Sequence, residues 1–175
     1  MSGRASLNTL LSGSVLKRFV GVHDGMGARL AEECGFDGVW ISGMELATAA
    51  AVPDTGILTL TNYLDAARVV RRATTLPILA DCDTGFGNAG HAMHAVREYE
   101  AAGIDGICIE DGVFPKVDSF AGEPVGEHLV VSPKEFARKV AAATRTRQSR
   151  DFVIVARTPS WSTRALERTT RSASS

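Results

Sequence analysis

Five short apolar segments that alternate with helical patterns constrain the fold of this chain most strongly. Strands that alternate with helices form βαβ units, whose strands run parallel and whose crossovers are right-handed. The pattern therefore predicts an α/β fold with a parallel sheet, wound either as an open doubly wound sheet or as a closed barrel. We predict strands at 19–22, 38–42, 78–80, 105–109 and 152–156, and helices at 26–34, 60–74, 88–102 and 133–144. A segment rich in Ala, Pro and Gly predicts a loop over 43–56, and Ser132 and Pro133 are the predicted N-cap and first residue of the last helix.

The first predicted strand is not followed by a glycine-rich nucleotide-binding loop. No GxGxxG follows the first predicted strand, and no GxxxxGK[ST] loop occurs in the chain. Both loops bind phosphates through backbone N–H groups in nucleotide-binding folds. A nucleotide-binding sheet is therefore the less favoured of the two architectures.

The chain divides into a leader, a βα region and a tail of different composition. A stripe of leucines gives residues 1–16 one apolar face, which predicts a leader helix. Residues 17–157 carry the βα pattern, and a barrel of eight such units usually takes at least about 200 residues. The sequence thus predicts an incomplete barrel, with about five βα units of eight. Residues 158–175 are rich in Ser, Thr and Arg, which predicts a disordered or non-native tail.

Two carboxylates stand at the end of the third predicted strand. Asp81 and Asp83 are two residues apart, and alternation along a strand places such positions on the same side. Carboxylate oxygens at one point suit a hard cation such as Mg²⁺, which keeps several waters and needs few protein ligands. An equally good interpretation of this stretch alone is that Asp83 caps the next helix and Asp81 is solvated.

The net charge and the cysteines indicate which classes of partner and which cellular compartment to expect. The formal net charge is −1, which favours neither a nucleic-acid nor a membrane-surface partner. No apolar run is long enough to span a bilayer, and the first residues lack a signal-peptide pattern. Cys34, Cys82 and Cys108 are widely spaced and odd in number, which favours reduced thiols. Together these features predict a cytoplasmic protein.

Six motifs, in order and over most of the chain, resemble the phosphoenolpyruvate mutase and isocitrate lyase superfamily. They fit its phosphoenolpyruvate mutase and phosphonopyruvate hydrolase branch best, from about residue 17 to residue 157. The resemblance implies a modified (β/α)₈ barrel of the TIM-barrel type, assembled as homo-oligomers. The motifs are Gly21-Val-His-Asp-Gly-Met26, Trp40-Ile-Ser-Gly-Met44, Ala51-Val-Pro-Asp54, Asp81-Cys-Asp-Thr-Gly-Phe-Gly-Asn88, Glu110-Asp111 with Phe114-Pro-Lys116, and Val155-Ala-Arg157.

The resemblance implies a metal site and three catalytic residues. Asp81, Asp83 and Glu110 would be the Mg²⁺ set, partly through water. Asp54 would lie on a loop that closes over the substrate, Lys116 would neutralise phosphoryl charge, and Arg157 would bind a carboxylate or phosphoryl group. The substrate-binding residues would be Trp40, Ser42, Gly43, Met44 and Asp118.

Several of these residues have a simpler interpretation when each is taken alone. Trp40 could be a core residue, Asp54 a solvated turn residue, and Lys116 an ordinary loop lysine. Arg157 could form a surface ion pair, although the strand before it is apolar.

The resemblance implies phosphoenolpyruvate phosphomutase activity, which interconverts phosphoenolpyruvate and phosphonopyruvate with Mg²⁺ in phosphonate metabolism. Gly112 and Asp118 depart from the mutase pattern, so phosphonopyruvate hydrolase is the alternative. No cysteine follows Glu110, which makes a C–C lyase the least favoured branch. A further alternative is an inactive remnant that binds Mg²⁺ or a homologue, because the motifs stop at Arg157 as in a truncated or frame-shifted reading.

Overall fold

The five predicted strands are present and form one parallel sheet. The structure is a computed structural model in which residues 6–116 and 130–158 are described. The strands are β1 (Phe19–Val22), β2 (Gly38–Ile41), β3 (Ile78–Asp81), β4 (Gly106–Glu110) and β5 (Val153–Arg157). The helices are α1 (Leu7–Ser12), α2 (Gly25–Glu33), α3 (Gly43–Ala49), α4 (Leu60–Ala73), α5 (Ala89–Ala101) and α6 (Pro133–Thr146).

The order of the strands distinguishes between the two architectures. The sheet order is β1-β2-β3-β4-β5, and each pair of neighbours is parallel. A doubly wound sheet reverses its strand order at a switch point, whereas a barrel adds each strand beside the previous one. The protein therefore has five consecutive strands of the TIM-barrel type, and the prediction of a partial barrel is confirmed.

The two faces of the sheet differ in what covers them. Val39, Ile41, Ile78 and Ile107 alternate along the strands on one face and are fully buried. Right-handed crossovers that wind in one direction place the helices on this same face. The opposite face, which we call the inner face, carries Trp40, Leu79, Asp81, Cys108 and Glu110, because these residues alternate with the buried set.

Polar caps set the starts of the helices that follow the sheet. The side chain of Asn88 accepts hydrogen bonds from the backbone N–H groups of Gly90 and His91 at the start of α5. Ser132 accepts from the N–H of Glu135 at the start of α6, where Pro133 is the first helical residue, as predicted. These caps fix where the chain leaves each strand-to-helix loop.

Two predicted elements differ in the structure. The leader helix is shorter than residues 1–16, because α1 ends at Ser12 and Leu16 is 86% exposed. The segment after β2, predicted as a loop, begins with helix α3. Ser42 caps α3 by accepting from the N–H of Glu45, a local signal that outweighs the glycine at its first position.

Parts of the sequence-based predictions fall on residues outside the described ranges. These are residues 1–5 of the leader, the tail after Thr158, and Asp118. Across 6–116 and 130–158, none of the helices combines the length and the apolar character of a membrane span.

Candidate active site

The predicted functional residues gather at the carboxyl ends of the strands. Asp81 is the last residue of β3, Glu110 of β4 and Arg157 of β5, while Ser42 directly follows β2. Parallel strands bring these ends to one edge of the sheet. The barrel topology therefore assembles residues that are far apart in sequence.

Asp83 is the centre of a buried polar network. Its Oδ2 accepts a hydrogen bond of 2.7 Å from the Tyr63 hydroxyl, and its Oδ1 accepts one of 3.0 Å from Lys116 Nζ. Lys116 Nζ also donates to Asp54 Oδ2 at 2.8 Å. The Lys116 side chain is 11% exposed and lies between two carboxylates. It is therefore a buried bridging cation and not an ordinary loop lysine.

The loop after β3 holds Asp83 in an uncommon backbone conformation. Asp83 has a φ of 42° and Phe86 a φ of 57°, values that non-glycine residues seldom adopt. The Asp83 N–H donates to Asp81 Oδ1 at 2.9 Å, and its carbonyl accepts from the N–H of Glu110 at 2.8 Å. Asn88 caps α5, so the interpretation of Asp83 as the helix cap is wrong.

Burial and mutual repulsion raise the pKa values of two acidic groups of the site, Asp81 and Glu110. Burial, with the charge of Asp83, raises the pKa of Asp81 to about 6, and Asp81 is only 7% exposed. The interpretation of Asp81 as a solvated residue is therefore wrong. Burial also raises the pKa of Glu110, although Lys116 and Arg157 act against the shift.

Lys116 keeps its positive charge in this site. Burial acts against the charged form, but the charge of Asp83 and the hydrogen bonds to Asp54 and Asp83 raise the pKa of Lys116 above its ordinary value. Tyr63 stays neutral because burial and the charge of Asp83 raise the pKa of its hydroxyl. The network thus contains one permanent cation and a hydroxyl that acts only as a donor to Asp83.

The three carboxylates predicted to share one ion are not grouped as a direct ligand set. Within the described ranges, no three His, Cys, Asp or Glu side chains are placed to hold a metal ion together. One reason is that both oxygens of Asp83 already accept hydrogen bonds. Another is register, since Asp81 pairs with Cys108 and Glu110 lies two residues, about 7 Å, further along β4.

The donor set still fits a hydrated magnesium ion. Asp81 and Glu110 both face the inner side, and burial disfavours their charged forms until a cation is near. Mg²⁺ in proteins commonly binds one or two carboxylates and keeps several waters. Asp81 and Glu110 are therefore the residues that would hold it, with Asp83 reached through water.

The predicted substrate-binding residues lie around β2. Trp40 is half-buried on the inner face, where it pairs with Leu79, one layer of side chains below Asp81. It is therefore not a residue of the core between sheet and helices. Gly43 is buried, and a Cβ atom there would lie 2.6 Å from Tyr63 Oη and 3.2 Å from Asp81 Oδ2. Met44 is 42% exposed at the start of α3.

Arg157 lies at the open end of the site. Its side chain is 50% exposed, and Nη1 is 3.7 Å from Glu110 Oε2. The guanidinium is therefore accessible at the sheet edge, as binding of a substrate group requires. It is also paired with a buried carboxylate, as the ion-pair interpretation of Arg157 expected.

Two functional positions were missed in the sequence. Tyr63 occupies an apolar position of a predicted helix, and nothing local shows that its hydroxyl would reach Asp83. Tyr99 similarly donates from α5 to the backbone carbonyl of Asp81 at 3.1 Å. Both contacts depend on how helices pack on the sheet, which sequence periodicity does not specify.

Comparison with known proteins identifies relatives with similar sequences. Phosphonopyruvate hydrolase of Variovorax sp. (strain Pal2) is 41% identical over 157 residues, which cover 90% of this chain and 53% of that protein. 2,3-Dimethylmalate lyase of Eubacterium barkeri is 39% identical over 168 residues, covering 95% of this chain and 57% of that protein. The chain thus spans about half the length of the curated relatives that it matches.

Solved structures give the same result. The phosphoenolpyruvate phosphomutase from Streptomyces platensis subsp. rosaceus superposes with a TM-score of 0.83 and 44% identity, over 89% of this chain and 53% of that one. A phosphonopyruvate hydrolase complex with oxalate and Mg²⁺ superposes with a TM-score of 0.79 and 40% identity, over 87% of this chain and 51% of that one.

The sequence model of the family Phosphoenolpyruvate phosphomutase matches residues 7–173, which extends beyond Arg157 at the end of β5. Together with the identities above, this match shows that the chain belongs to the phosphoenolpyruvate phosphomutase family, within the isocitrate lyase superfamily.

Proposed function

We propose that the protein acts as a Mg²⁺-dependent phosphoenolpyruvate phosphomutase, which moves a phosphoryl group between the oxygen and the methylene carbon of pyruvate enolate. The observation that carries this proposal is the buried Lys116 cation held between Asp54 and Asp83 at the carboxyl ends of the strands. A fixed positive charge beside an inner-face carboxylate pair suits a substrate with both a carboxylate and a phosphoryl group.

The residues of the chain would contribute positioning and charge. Lys116 stays protonated at neutral pH and can neutralise phosphoryl oxygens without a proton transfer. Arg157 is half-exposed and offers a planar set of donors to a carboxylate or phosphoryl group. Phosphoryl transfer has a loose transition state, so such positioning and charge stabilisation supply most of the catalysis.

The loop that carries Asp54 would exclude water. Asp54 reaches across to Lys116, so this contact ties the loop to the site. Exclusion of water lets the phosphoryl group return to carbon instead of being lost to hydrolysis. We assign substrate contacts to Trp40 and to the segment Ser42, Gly43 and Met44. The N–H of Ser42 already donates to the Val22 carbonyl at 3.3 Å, and the missing side chain of Gly43 permits a close approach of the backbone. Asp118 completes the proposed set.

Magnesium, when bound at Asp81 and Glu110, would supply charge stabilisation for the enolate form of pyruvate. The support for this cofactor is the donor set of the site and a similar protein, a phosphonopyruvate hydrolase solved with oxalate and Mg²⁺. The two inner-face carboxylates would then be held ionised by the metal at neutral pH.

Phosphonopyruvate hydrolase is the second candidate function. The relative from Variovorax carries that name at 41% identity, against 44% for the solved mutase from Streptomyces platensis. In both reactions the same site would break or form the carbon–phosphorus bond, and they differ in whether water receives the phosphoryl group. A lyase remains a third branch, because a 2,3-dimethylmalate lyase is 39% identical.

Phosphorus NMR on phosphonopyruvate separates these functions. A mutase yields phosphoenolpyruvate, a hydrolase yields inorganic phosphate with pyruvate, and a lyase leaves phosphonopyruvate unchanged. Turnover should stop with EDTA and return with Mg²⁺. Asp54→Ala should lower the rate at least about a hundredfold, whereas Asp65→Ala, on the exposed side of α4, should leave it unchanged.

Turnover that persists in EDTA would overturn the magnesium site. Absence of both turnover and Mg²⁺-dependent oxalate binding by calorimetry would favour the inactive remnant. We also propose that the protein is cytoplasmic and forms a homo-oligomer. Sedimentation of the purified chain would test the state of assembly.

A further inference from the structure

A buried lysine lies beneath the loop that carries Asp83. Lys139 comes from α6, is 5% exposed, and donates a hydrogen bond of 2.7 Å from Nζ to the backbone carbonyl of Thr84. Its aliphatic stem packs under Gly85, where a Cβ atom would lie 3.6 Å from Lys139 Cδ. The lysine thus connects a helix on the outer side of the sheet to the loop between β3 and α5.

Burial of the Lys139 ammonium group costs free energy. Burial lowers the pKa of Lys139, and Glu135, one turn earlier on α6, is the acidic residue that acts against this shift. Within the described residues no ion pair of Lys139 is found, so the hydrogen bond to Thr84 carries most of its stabilisation. Burial of a charge without an ionic partner costs free energy, so fold stability alone does not account for the lysine.

The loop above Lys139 needs external support. Asp83, Gly85 and Phe86 all have positive φ values, of 42°, 84° and 57°. Non-glycine residues in that region cost of order 1 kcal/mol each and persist only where their surroundings hold them. Thr84 is fully buried, yet among the described residues its hydroxyl oxygen has no hydrogen-bond partner, so no hydrogen bond of this side chain to that part of the protein anchors the loop.

Four hydrogen bonds hold the backbone of the loop. The N–H of Asp83 donates to Asp81 Oδ1 at 2.9 Å, the N–H of Gly85 donates to the carbonyl of Cys82 at 2.7 Å, and the carbonyl of Asp83 accepts from Glu110. The fourth is at the Thr84 carbonyl, and Lys139 is the side chain that reaches it. The Thr84 carbonyl and the Gly85 N–H belong to one peptide unit, which follows Asp83 by one residue. Rotation of that unit would change the torsion angles of Thr84 and thereby shift the Asp83 carboxylate relative to Lys116 and Tyr63.

We propose that Lys139 is a positioning residue, which holds the strained loop so that the Asp83 carboxylate meets Lys116 and Tyr63. Lys139 does not contact the inner face, and its effect reaches the reaction through Asp83. The consequence for turnover rests on the proposed function, whereas the consequence for the loop does not.

Hydrogen exchange of the backbone tests the structural part. Lys139→Met keeps the length of the side chain but removes the donor. We expect the amides of Asp83 and Gly85 to exchange about tenfold faster, while α5 and β4 keep their protection. Lys139→Arg keeps a donor and should restore protection. Lys134→Met, at an exposed position of the same helix, should change nothing.

Unchanged protection of the loop in Lys139→Met would overturn the proposal. So would an acceleration spread evenly over α5, β4 and the loop, because that result assigns Lys139 to general fold stability. If Lys139→Met does not fold, Lys139→Gln, with a shorter neutral donor, should give a smaller acceleration that is still confined to the loop. A uniform acceleration in that variant would count equally against the proposal.

Phosphonopyruvate turnover tests the catalytic consequence. Lys139→Met should lower kcat about tenfold with KM changed less than about twofold, and Lys139→Arg should recover most of the rate. A wild-type chain without turnover or Mg²⁺-dependent oxalate binding would refute the proposed function and leave the exchange result to decide the role of Lys139. Normal turnover in a Lys139→Met variant whose loop has lost protection would refute the catalytic consequence alone.

Discussion

Asp83 shows how one residue can depend on contacts from four parts of the chain. Its carboxylate accepts from Tyr63 on α4 and from Lys116 on the loop after β4. Its backbone binds Asp81 through the N–H and Glu110 through the carbonyl. Each of these partners restrains a different atom of Asp83, so the positive φ is maintained by the sum of them.

Removing the Tyr63 hydroxyl should cost more stability than removing an equivalent hydroxyl nearby. Tyr63→Phe deletes a buried hydrogen bond to a carboxylate, whereas Tyr99→Phe deletes one to the backbone carbonyl of Asp81. Hydrogen bonds to charged groups are worth about 1.5–3 kcal/mol, against about 1 kcal/mol for neutral pairs. Urea unfolding of both variants measures the difference. An equal or larger loss in Tyr99→Phe would contradict the assigned network.

Gly43 should not tolerate a side chain. The Cβ atom of alanine would lie 2.6 Å from Tyr63 Oη and 3.2 Å from Asp81 Oδ2, and both groups are fixed by hydrogen bonds. Gly43→Ala is therefore expected to lower the free energy of unfolding by about 1–3 kcal/mol through overpacking. Gly13→Ala is the control, because among the described residues its Cβ would meet only Leu10 O, at 3.6 Å. Comparable losses in the two variants would disprove the close approach at Gly43.

At the scale of elements, polar side chains fix how the helices attach to the sheet. Glu32 of α2 accepts hydrogen bonds from the Thr74 hydroxyl at 2.8 Å and from the Thr75 N–H at 3.1 Å, and also contacts the Thr75 hydroxyl. These two threonines form the turn between α4 and β3. Glu32 therefore ties the packed pair α2 and α4 to the strand that carries Asp81.

This connection should make stability depend on pH in a known direction. The hydrogen bond from the Thr75 side chain lowers the pKa of Glu32, although burial acts against the shift. A lowered folded-state pKa gives stability that is present above the unfolded value of about 4.5 and is lost as pH falls through the folded value. Glu32→Gln should cost about 0.5 kcal/mol at pH 7 and nothing at about pH 3.

Thermal unfolding at the two pH values measures this effect. Glu33→Gln is the matched control, since Glu33 is 62% exposed on the same helix and pairs only with Arg29 within the described residues. A loss for Glu32→Gln that is as large at pH 3 as at pH 7 would show that the carboxylate charge is not involved.

At the scale of the whole molecule, the sheet concentrates acidic groups that are unfavourable without a cation. Burial raises the pKa of Asp81 to about 6, from 3.8 for the free side chain, and also raises the pKa of Glu110. A raised carboxyl pKa means that the folded state binds more protons between these values. The contribution of Asp81 to stability therefore falls as pH rises from about 4 to about 6.

Magnesium should offset this loss only where Asp81 is ionised. At about pH 8, millimolar Mg²⁺ should raise the Tm by about 2–4 °C, and at about pH 5 the rise should disappear because Asp81 holds a proton. Differential scanning fluorimetry measures both. Asp81→Asn should remove the rise at every pH. A rise of the same size at pH 5 and pH 8 would place the metal elsewhere.

Many features of the protein follow from local sequence. The apolar runs and their flanking helical patterns predict all five strands within one or two residues, because alternating short strands and helices leave few alternatives. Ser132 and Pro133 predict the start of α6, because a capping residue directly followed by proline is a local signal for the first turn of a helix. The polar residues after each strand indicate where the site lies, because parallel strands end together.

Other features depend on the packing of distant segments. Helix α3 begins where a loop was predicted, and the bond from Tyr63 to Asp83 has no sequence signal. A lysine in an amphipathic helix is typical of the exposed face, yet Lys139 is buried under the loop after β3. The strand order of a barrel was also one of two alternatives until the family resemblance and the structure decided between them.

The sequence by itself determined the α/β class and the strand ends at which the predicted functional residues gather. Only the tertiary structure decided that Asp83 is engaged by Tyr63 and Lys116, which is why we propose Asp81 and Glu110 as the carboxylates for a hydrated metal. The physical reason is the distance along the chain between the residues that interact. Strands, caps and turns depend on neighbouring residues, whereas the partners of a buried carboxylate depend on segments that meet only after the helices pack on the sheet.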